Sequence, residues 1–170
     1  EVKIAPLSAD NGAILTSIDK SKRRLKVMKE NLHRLNYDLD LICTDVFEYQ
    51  PKKLFDIILL DPPCTATGTI GKNPDLQFLN PLDKLEELSD VQQKMLTRCA
   101  SWLQDDGYII YSVCSLLKQE GEDQISRFLK KNKEFCLIHP QKKGYLDQEG
   151  YETNKESGTR IMPFFEERLG

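Results

Sequence analysis

Leu60-Asp61-Pro62-Pro63-Cys64-Thr65-Ala66-Thr67-Gly68 is the stretch on which the reading of this chain turns. It is entered from Phe55 to Leu60, a run apolar on both faces of the pleat, as a central parallel strand is, and closed by the carboxylate of Asp61. Pro62-Pro63 then forbids both helix and sheet ladder, so a loop is expected from Asp61 to about Pro81. Gly68 would let the backbone approach a planar ligand closely.

Working outward, short apolar runs alternate with helical spacing, which predicts an α/β layer fold. Ala13 to Ile18 reads as a strand stopping at Asp19. Lys20 to Leu35 follows as a helix, with Leu25, Met28, Leu32 and Leu35 on one stripe and Asp19 or Ser21 as its cap. Leu39 to Cys43 is the next strand, ending at Thr44-Asp45. Beyond the loop, Leu85, Leu88, Met95, Cys99 and Trp102 mark a helix from Leu82 to the turn signal Asp105-Asp106-Gly107. Tyr108 to Val113 is a strand leading into Cys114-Ser115. A helix carrying Ile125, Phe128 and Leu129 and a strand at Phe135 to Ile138 complete the pattern. Pro140 to Arg160, polar and rich in Gly, Lys and Glu, reads as a flexible loop.

The composition suits a single soluble domain: 170 residues, 24 basic against 27 acidic for a net charge of −3, 39% apolar and 30% charged. A chain of this length hides roughly 70% of its unfolded surface, enough for a core without covalent staples. Its longest purely apolar run, Ile57 to Leu60, is far short of the ~20 residues that cross a bilayer, so no membrane partner is expected. Five cysteines without a Cys-x-x-Cys pair, and two histidines, disfavour a zinc site or a disulfide scaffold and make the reducing cytoplasm the expected compartment.

In this arrangement strand after strand ends in an acid or a thiol: Asp19, Asp45, Asp61 and Cys114. Ligands of open parallel sheets sit just beyond those ends. Asp19 could accept hydrogen bonds from ribose hydroxyls, or merely cap a helix. Asp45 could bind a nucleoside amino group, or merely form a turn. Cys64 and Cys114, 50 residues apart at the ends of neighbouring strands, fit a reaction that begins and ends with a covalent enzyme bond. Cys43, Cys99 and Cys136 read as small buried hydrophobes. The acid-Pro-Pro turn also resembles that of exocyclic-amino nucleobase methyltransferases. Those enzymes place a stacking aromatic where Cys64 stands, and a thiol has no face to stack.

Asp61-Pro62-Pro63-Cys64-Thr65-Ala66-Thr67-Gly68-Thr69-Ile70, with Asn73-Pro74-Asp75 and Val113-Cys114-Ser115, resembles the Sun (Fmu, RsmB) branch of the Nol1/Nop2/Sun RNA 5-methylcytosine methyltransferases. Most relatives have Ala where Pro62 stands. Gly158-Thr159-Arg160-Ile161-Met162-Pro163 resembles a late Arg-and-Pro motif of the family. The resemblance implies a Rossmann-like S-adenosylmethionine-dependent methyltransferase fold, three-layered with a mostly parallel sheet. It further implies transfer of a methyl group from S-adenosylmethionine to carbon 5 of a cytosine in RNA, with bacterial small-subunit ribosomal RNA the expected substrate. Cys114 would be the nucleophile that adds at carbon 6, and Cys64 would help remove the carbon 5 proton and release the adduct. Asp61 would contact N3 of the base and the cofactor, with Asp19 and Asp45 as further cofactor ligands.

Against the family pattern, residues 1–170 read as a catalytic-core fragment without the Gly-rich cofactor loop, the last strand and the N-terminal RNA-binding domain. A non-catalytic RNA-binding module of the same fold is therefore the alternative reading. The net charge is unusual for an RNA partner, since phosphate binding calls for cations. Lys20 to Arg34 nevertheless holds seven basic residues against Glu30 alone. This run would either touch RNA or form a solvated helix face.

Overall fold

The computed structural model describes residues 14–37, 39–79, 81–138, 151–154 and 158–161. The chain divides into two compact units, residues 1–63 with 94–112 and residues 64–93 with 113–170.

In the first unit, β1 (Thr16–Asp19) pairs in parallel with β2 (Asp40–Cys43), Thr16 opposite Asp40 and Asp19 opposite Cys43. The intervening α1 (Lys22–Arg34) supplies the crossover that parallel pairing requires. Of the two caps expected, Ser21 is the one used: it is extended, and its hydroxyl accepts the Arg24 amide at 3.3 Å. Leu25 is buried, Met28 takes a hydrogen bond from Ser17 on β1, and His33 and Arg34 lie in the last turn, where cations favour the helix dipole. Asn36 follows at φ 58°, a left-handed conformation that Asn tolerates better than most residues.

The second ladder of this unit joins β3 (Phe55–Leu60) in parallel to β4 (Leu103–Tyr111), which follows α2 (Leu85–Ala100). The parallel α/β architecture is thus present. The described strands of this unit form two separate parallel pairs, however, where one continuous sheet was expected. The turn signal at Asp105-Asp106-Gly107 lies inside β4 and does not end the helix. Phe55 pairs with Leu103 but Ile57 with Tyr108, so β4 bulges here, with Asp106 at φ 64°. Leu60, Leu96, Cys99 and Trp102 are buried. Trp102 meets Tyr49 edge to face at 5.4 Å, and Arg98 lies over the indole and donates to the Tyr49 carbonyl.

The second unit contains α3 (Glu122–Lys131) and the first turns of α2. Short 3-10 turns at Thr67–Thr69, Pro74–Phe78 and Pro81–Lys84 fill the proline-led loop. Phe135 to Ile138 forms no strand. The Phe135 amide bonds the Asn132 carbonyl and its ring packs on Phe128 at 5.1 Å, while Cys136 and Ile138 are exposed. Within the stretch read as a flexible loop, β5 (Tyr151–Asn154) and β6 (Gly158–Ile161) form an antiparallel hairpin. Residues 140–150 and 155–157, and Met162-Pro163 of the late motif, lie outside the described residues.

No helix among the described residues is long and apolar enough to cross a membrane. Among them no group of His, Cys, Asp or Glu is arranged to hold a metal ion.

Candidate active site

The two cysteines of the motif come together. Cys64 Sγ and Cys114 Sγ are 3.3 Å apart, the first half-buried and the second exposed. Burial, reinforced by the neighbouring Cys114 thiol, pushes the Cys64 thiol up to about 12, although the Ala66 and Cys114 amides act the other way. At neutral pH Cys64 is therefore a thiol, able to donate its S–H toward the Cys114 sulfur. Of the three cysteines read as buried hydrophobes, only Cys99 is buried. Cys43 and Cys136 are exposed.

Backbone contacts bring the two loops together. The Gly68 amide donates to the Cys114 carbonyl at 3.0 Å, and a Cβ at position 68 would stand 2.8 Å from that oxygen. The close approach that Gly68 permits is thus to the Cys114 backbone, where the sequence suggested a planar ligand. Between Cys64 and Gly68, Ala66 turns the loop at φ 56°, a conformation that costs a non-glycine residue roughly 1–2 kcal/mol. This turn separates Thr65, which is buried, from Thr67.

Beneath the thiols runs a chain of hydroxyls that sequence reading missed. Glu120, fully buried, accepts from the Thr65 amide and from Gln92 Nε2, each at 2.9 Å, and from the Thr65 hydroxyl. Thr65 Oγ1 lies 3.2 Å from Ser115 Oγ, and Ser115 Oγ lies 3.2 Å from Thr67 Oγ1. The amides of Leu117 and Leu116 donate to Ser115 and Thr67. Thr65 and Ser115 each directly follow a motif cysteine, which is the one signal that could have flagged them.

The three acids lie in the first unit. Asp19 closes β1 and is buried. Arg24 grips it from α1, Nε to Oδ2 at 2.7 Å and a terminal nitrogen to Oδ1 at 2.8 Å, and the Ser21 amide also bonds Oδ1. Burial works to raise the Asp19 pKa, but the Arg24 guanidinium and the Ser21 amide together outweigh it and hold the carboxyl below its ordinary value. Arg24 was legible only as one charge in the basic run. Asp45 accepts the Phe47 amide at 2.9 Å, so the turn reading of this residue is realised. Asp61 directly follows β3 and is half-buried. The basic run lines a groove of about 900 Å³, whose walls include Lys22, Lys26, Lys29 and His33 together with Leu25, Leu32, Leu39 and Leu41.

The profile of the 16S rRNA methyltransferase RsmB/F family matches residues 2–168. The chain belongs to this family. It is 39% identical over 118 residues to the ribosomal RNA small subunit methyltransferase B of Shewanella oneidensis, covering 68% of this chain and 28% of that protein. The protein of the same name from Photorhabdus laumondii is 33% identical over 165 residues, covering 95% of this chain and 35% of its own length. The RsmB/F chain described here thus spans about a third of the length of these curated relatives. Among solved structures it is similar to that of PH0851 (TM-score 0.72, 31% identity, 76% of this chain and 30% of that one). It is also similar to NSun6 from Pyrococcus horikoshii with SFG (TM-score 0.64, 31% identity, 71% of this chain and 31% of that one). The Rossmann-like methyltransferase fold implied by the motifs is therefore the fold of this chain.

Proposed function

We propose that this chain forms the catalytic core of an enzyme that methylates carbon 5 of a cytosine in small-subunit ribosomal RNA, with S-adenosylmethionine as methyl donor and a covalent Cys114 adduct as intermediate. The observation that carries this reading is the 3.3 Å separation of an exposed Cys114 sulfur from the Cys64 sulfur. An RsmB/F membership is consistent with it.

Carbon 5 of cytosine is a weak nucleophile because the ring resists giving up its electrons. A Cys114 thiolate that forms a bond to carbon 6 displaces the C5=C6 electron pair toward carbon 5, which then becomes reactive. Asp61 hydrogen-bonds the base at N3, where charge develops on addition. After methylation, carbon 5 carries both the methyl group and its original proton. Removal of that proton restores the C5=C6 bond and expels Cys114 as thiolate.

Cys64 is assigned to this release. The resting S–H of Cys64 lies within donating distance of the Cys114 sulfur, at 3.3 Å. Burial keeps Cys64 protonated at neutral pH, so its S–H assists departure of the Cys114 sulfur while the carbon 5 proton passes to solvent.

S-adenosylmethionine, when bound, supplies the electrophilic methyl group. Asp19 suits its ribose: the carboxyl is buried and held below its ordinary pKa, and Oδ2, which accepts one bond from Arg24 where Oδ1 accepts two, retains acceptor capacity. Asp45 and Asp61 would complete the contacts.

The test is made on the full-length protein with unmethylated small-subunit ribosomal RNA and labelled S-adenosylmethionine. Cys114→Ala is expected to abolish methyl incorporation. Cys64→Ala is expected to accumulate an RNA–protein adduct that survives denaturing electrophoresis. Unchanged incorporation in Cys114→Ala would sink the nucleophile assignment, and absence of an adduct in Cys64→Ala the release role.

A further inference from the structure

We infer that Glu120 is a positioning residue that sets the register of the two cysteine loops through an oriented hydroxyl chain. The inference rests on the roles proposed above for Cys64 and Cys114.

Its basis is the direction of the hydrogen bonds. The Thr65 hydroxyl donates to Glu120 Oε2, and the Thr65 amide donates to Oε1. Thr65 Oγ1 is then left to accept from Ser115, and Ser115 to accept from Thr67. Thr67 Oγ1 in turn accepts the Leu116 amide at 3.0 Å. Each hydroxyl along Thr67, Ser115 and Thr65 thereby donates once and accepts at least once. One buried acceptor fixes the polarity of the whole row.

The row joins the two segments that carry the thiols. Thr65 and Thr67 flank the Ala66 turn just beyond Cys64, while Ser115 and Leu116 follow Cys114. Without Glu120 the Thr65 amide and hydroxyl, both buried, would lose their acceptor, and reorientation of Thr65 would reach Ser115 directly. Buried polar networks that are fully satisfied specify one arrangement; partly satisfied ones do not. The 3.3 Å sulfur separation is the feature at stake. Glu120 acts on the thiols through the position of Thr65, the residue that follows Cys64.

The polarity of the row distinguishes Glu from Gln at position 120. Gln at 120 offers one acceptor oxygen and one NH₂, which donates. It cannot accept from the Thr65 hydroxyl on one oxygen and from the Thr65 amide and Gln92 on the other. Glu120→Gln should therefore disturb the site although it is nearly the same shape.

In the full-length protein, Glu120→Gln is expected to lower kcat for methylation at least about tenfold, with KM for RNA changed less than about threefold, and to accumulate RNA adduct as Cys64→Ala does. Thr65→Val, which keeps the shape and removes the hydroxyl, should reproduce this pattern, and Thr65→Ser should recover most of the loss. If Glu120→Gln fails to fold, the Thr65 pair decides.

Formation of the Cys64–Cys114 disulfide under diamide gives a readout independent of methyl transfer. Diamide takes two hydrogens from the two thiols, forming the S–S bond and the hydrazide. The wild type should cross-link faster than Glu120→Gln and Thr65→Val by about fivefold or more. Wild-type kcat together with a wild-type cross-linking rate in Thr65→Val would overturn the positioning role. Slowed cross-linking combined with full methylation in Cys114→Ala would instead uphold the positioning role and refute the cysteine mechanism.

Discussion

The carbonyl of Cys114 accepts the amide of Gly68 at 3.0 Å, and the space beside it is too small for a methyl group, since a Cβ at 68 would stand 2.8 Å from that oxygen. Both atoms in conflict would be bound to backbone, so neither can swing aside. Gly68→Ala is expected to push the Cys114 loop away, to cost about 1–3 kcal/mol of stability as overpacking does, and to lower methylation by an order of magnitude or more. Urea denaturation and a methyl-incorporation assay measure the two effects. Wild-type values in both would show that the loops part without consequence.

The thiols of the site should differ in their response to pH. Cys64 is pushed up to about 12, so its thiolate fraction, and with it its alkylation rate by iodoacetamide, should rise about tenfold per pH unit between pH 8 and 11 without a plateau. Cys114 is exposed and should be labelled first. Peptide mass spectrometry after timed labelling separates the two. A Cys64 rate that levels off near the ordinary thiol value, about 8.5, would contradict the effect of burial.

Alkaline stability follows the same groups. Cys64 and Cys99, the latter pushed by burial up to about 11, hold their protons more tightly when folded than when unfolded. Their contribution is complete below the ordinary thiol range and is lost as pH rises through about 11 and 12. Stability measured by denaturant between pH 8 and 11 should fall, and Cys99→Ala should show a shallower fall than the wild type. An equal slope in the two proteins would remove Cys99 from the account.

Arg24 and Asp19 predict an acid-side effect of opposite sign. The Asp19 pKa is lowered on folding, so its contribution is present above the ordinary carboxyl value and is lost as pH falls through the folded one. Arg24→Met leaves a buried carboxylate short of two hydrogen bonds and should cost about 1–3 kcal/mol at neutral pH. The variant should lose less than the wild type between pH 5 and pH 3. S-adenosylmethionine affinity, followed by calorimetry on the full-length protein, should weaken as well if Asp19 holds the ribose.

Much of the first unit was legible because local patterns and tertiary demand agree there. The stripe Leu25, Met28, Leu32 and the Ser21 cap say the same thing at every level, whereas β3, read as a central strand apolar on both faces, forms in a two-stranded ladder with Ile57 exposed. The misreadings have a common cause. Asp105-Asp106-Gly107 carries turn chemistry that a bulge uses equally well, and Phe135 to Ile138 carries strand composition but takes its place by packing on Phe128. Local chemistry named the backbone conformation in the first case and, in the second, only the packing of Phe135, since Cys136 and Ile138 are exposed; it named the partner in neither.

By itself, then, the sequence determined the parallel α/β crossovers, the acids that close β1 and follow β2 and β3, and the presence of two thiols in a proline-braced and a Ser-flanked setting. These depend on periodicity, on proline's fixed geometry and on residue type, which are properties of short segments. Only the tertiary structure decided that the two sulfurs lie 3.3 Å apart, that Glu120 stands behind Thr65, and that Arg24 holds Asp19. Distances of that kind join residues up to 55 positions apart, and they are set by which buried donors must find an acceptor once the chain has closed.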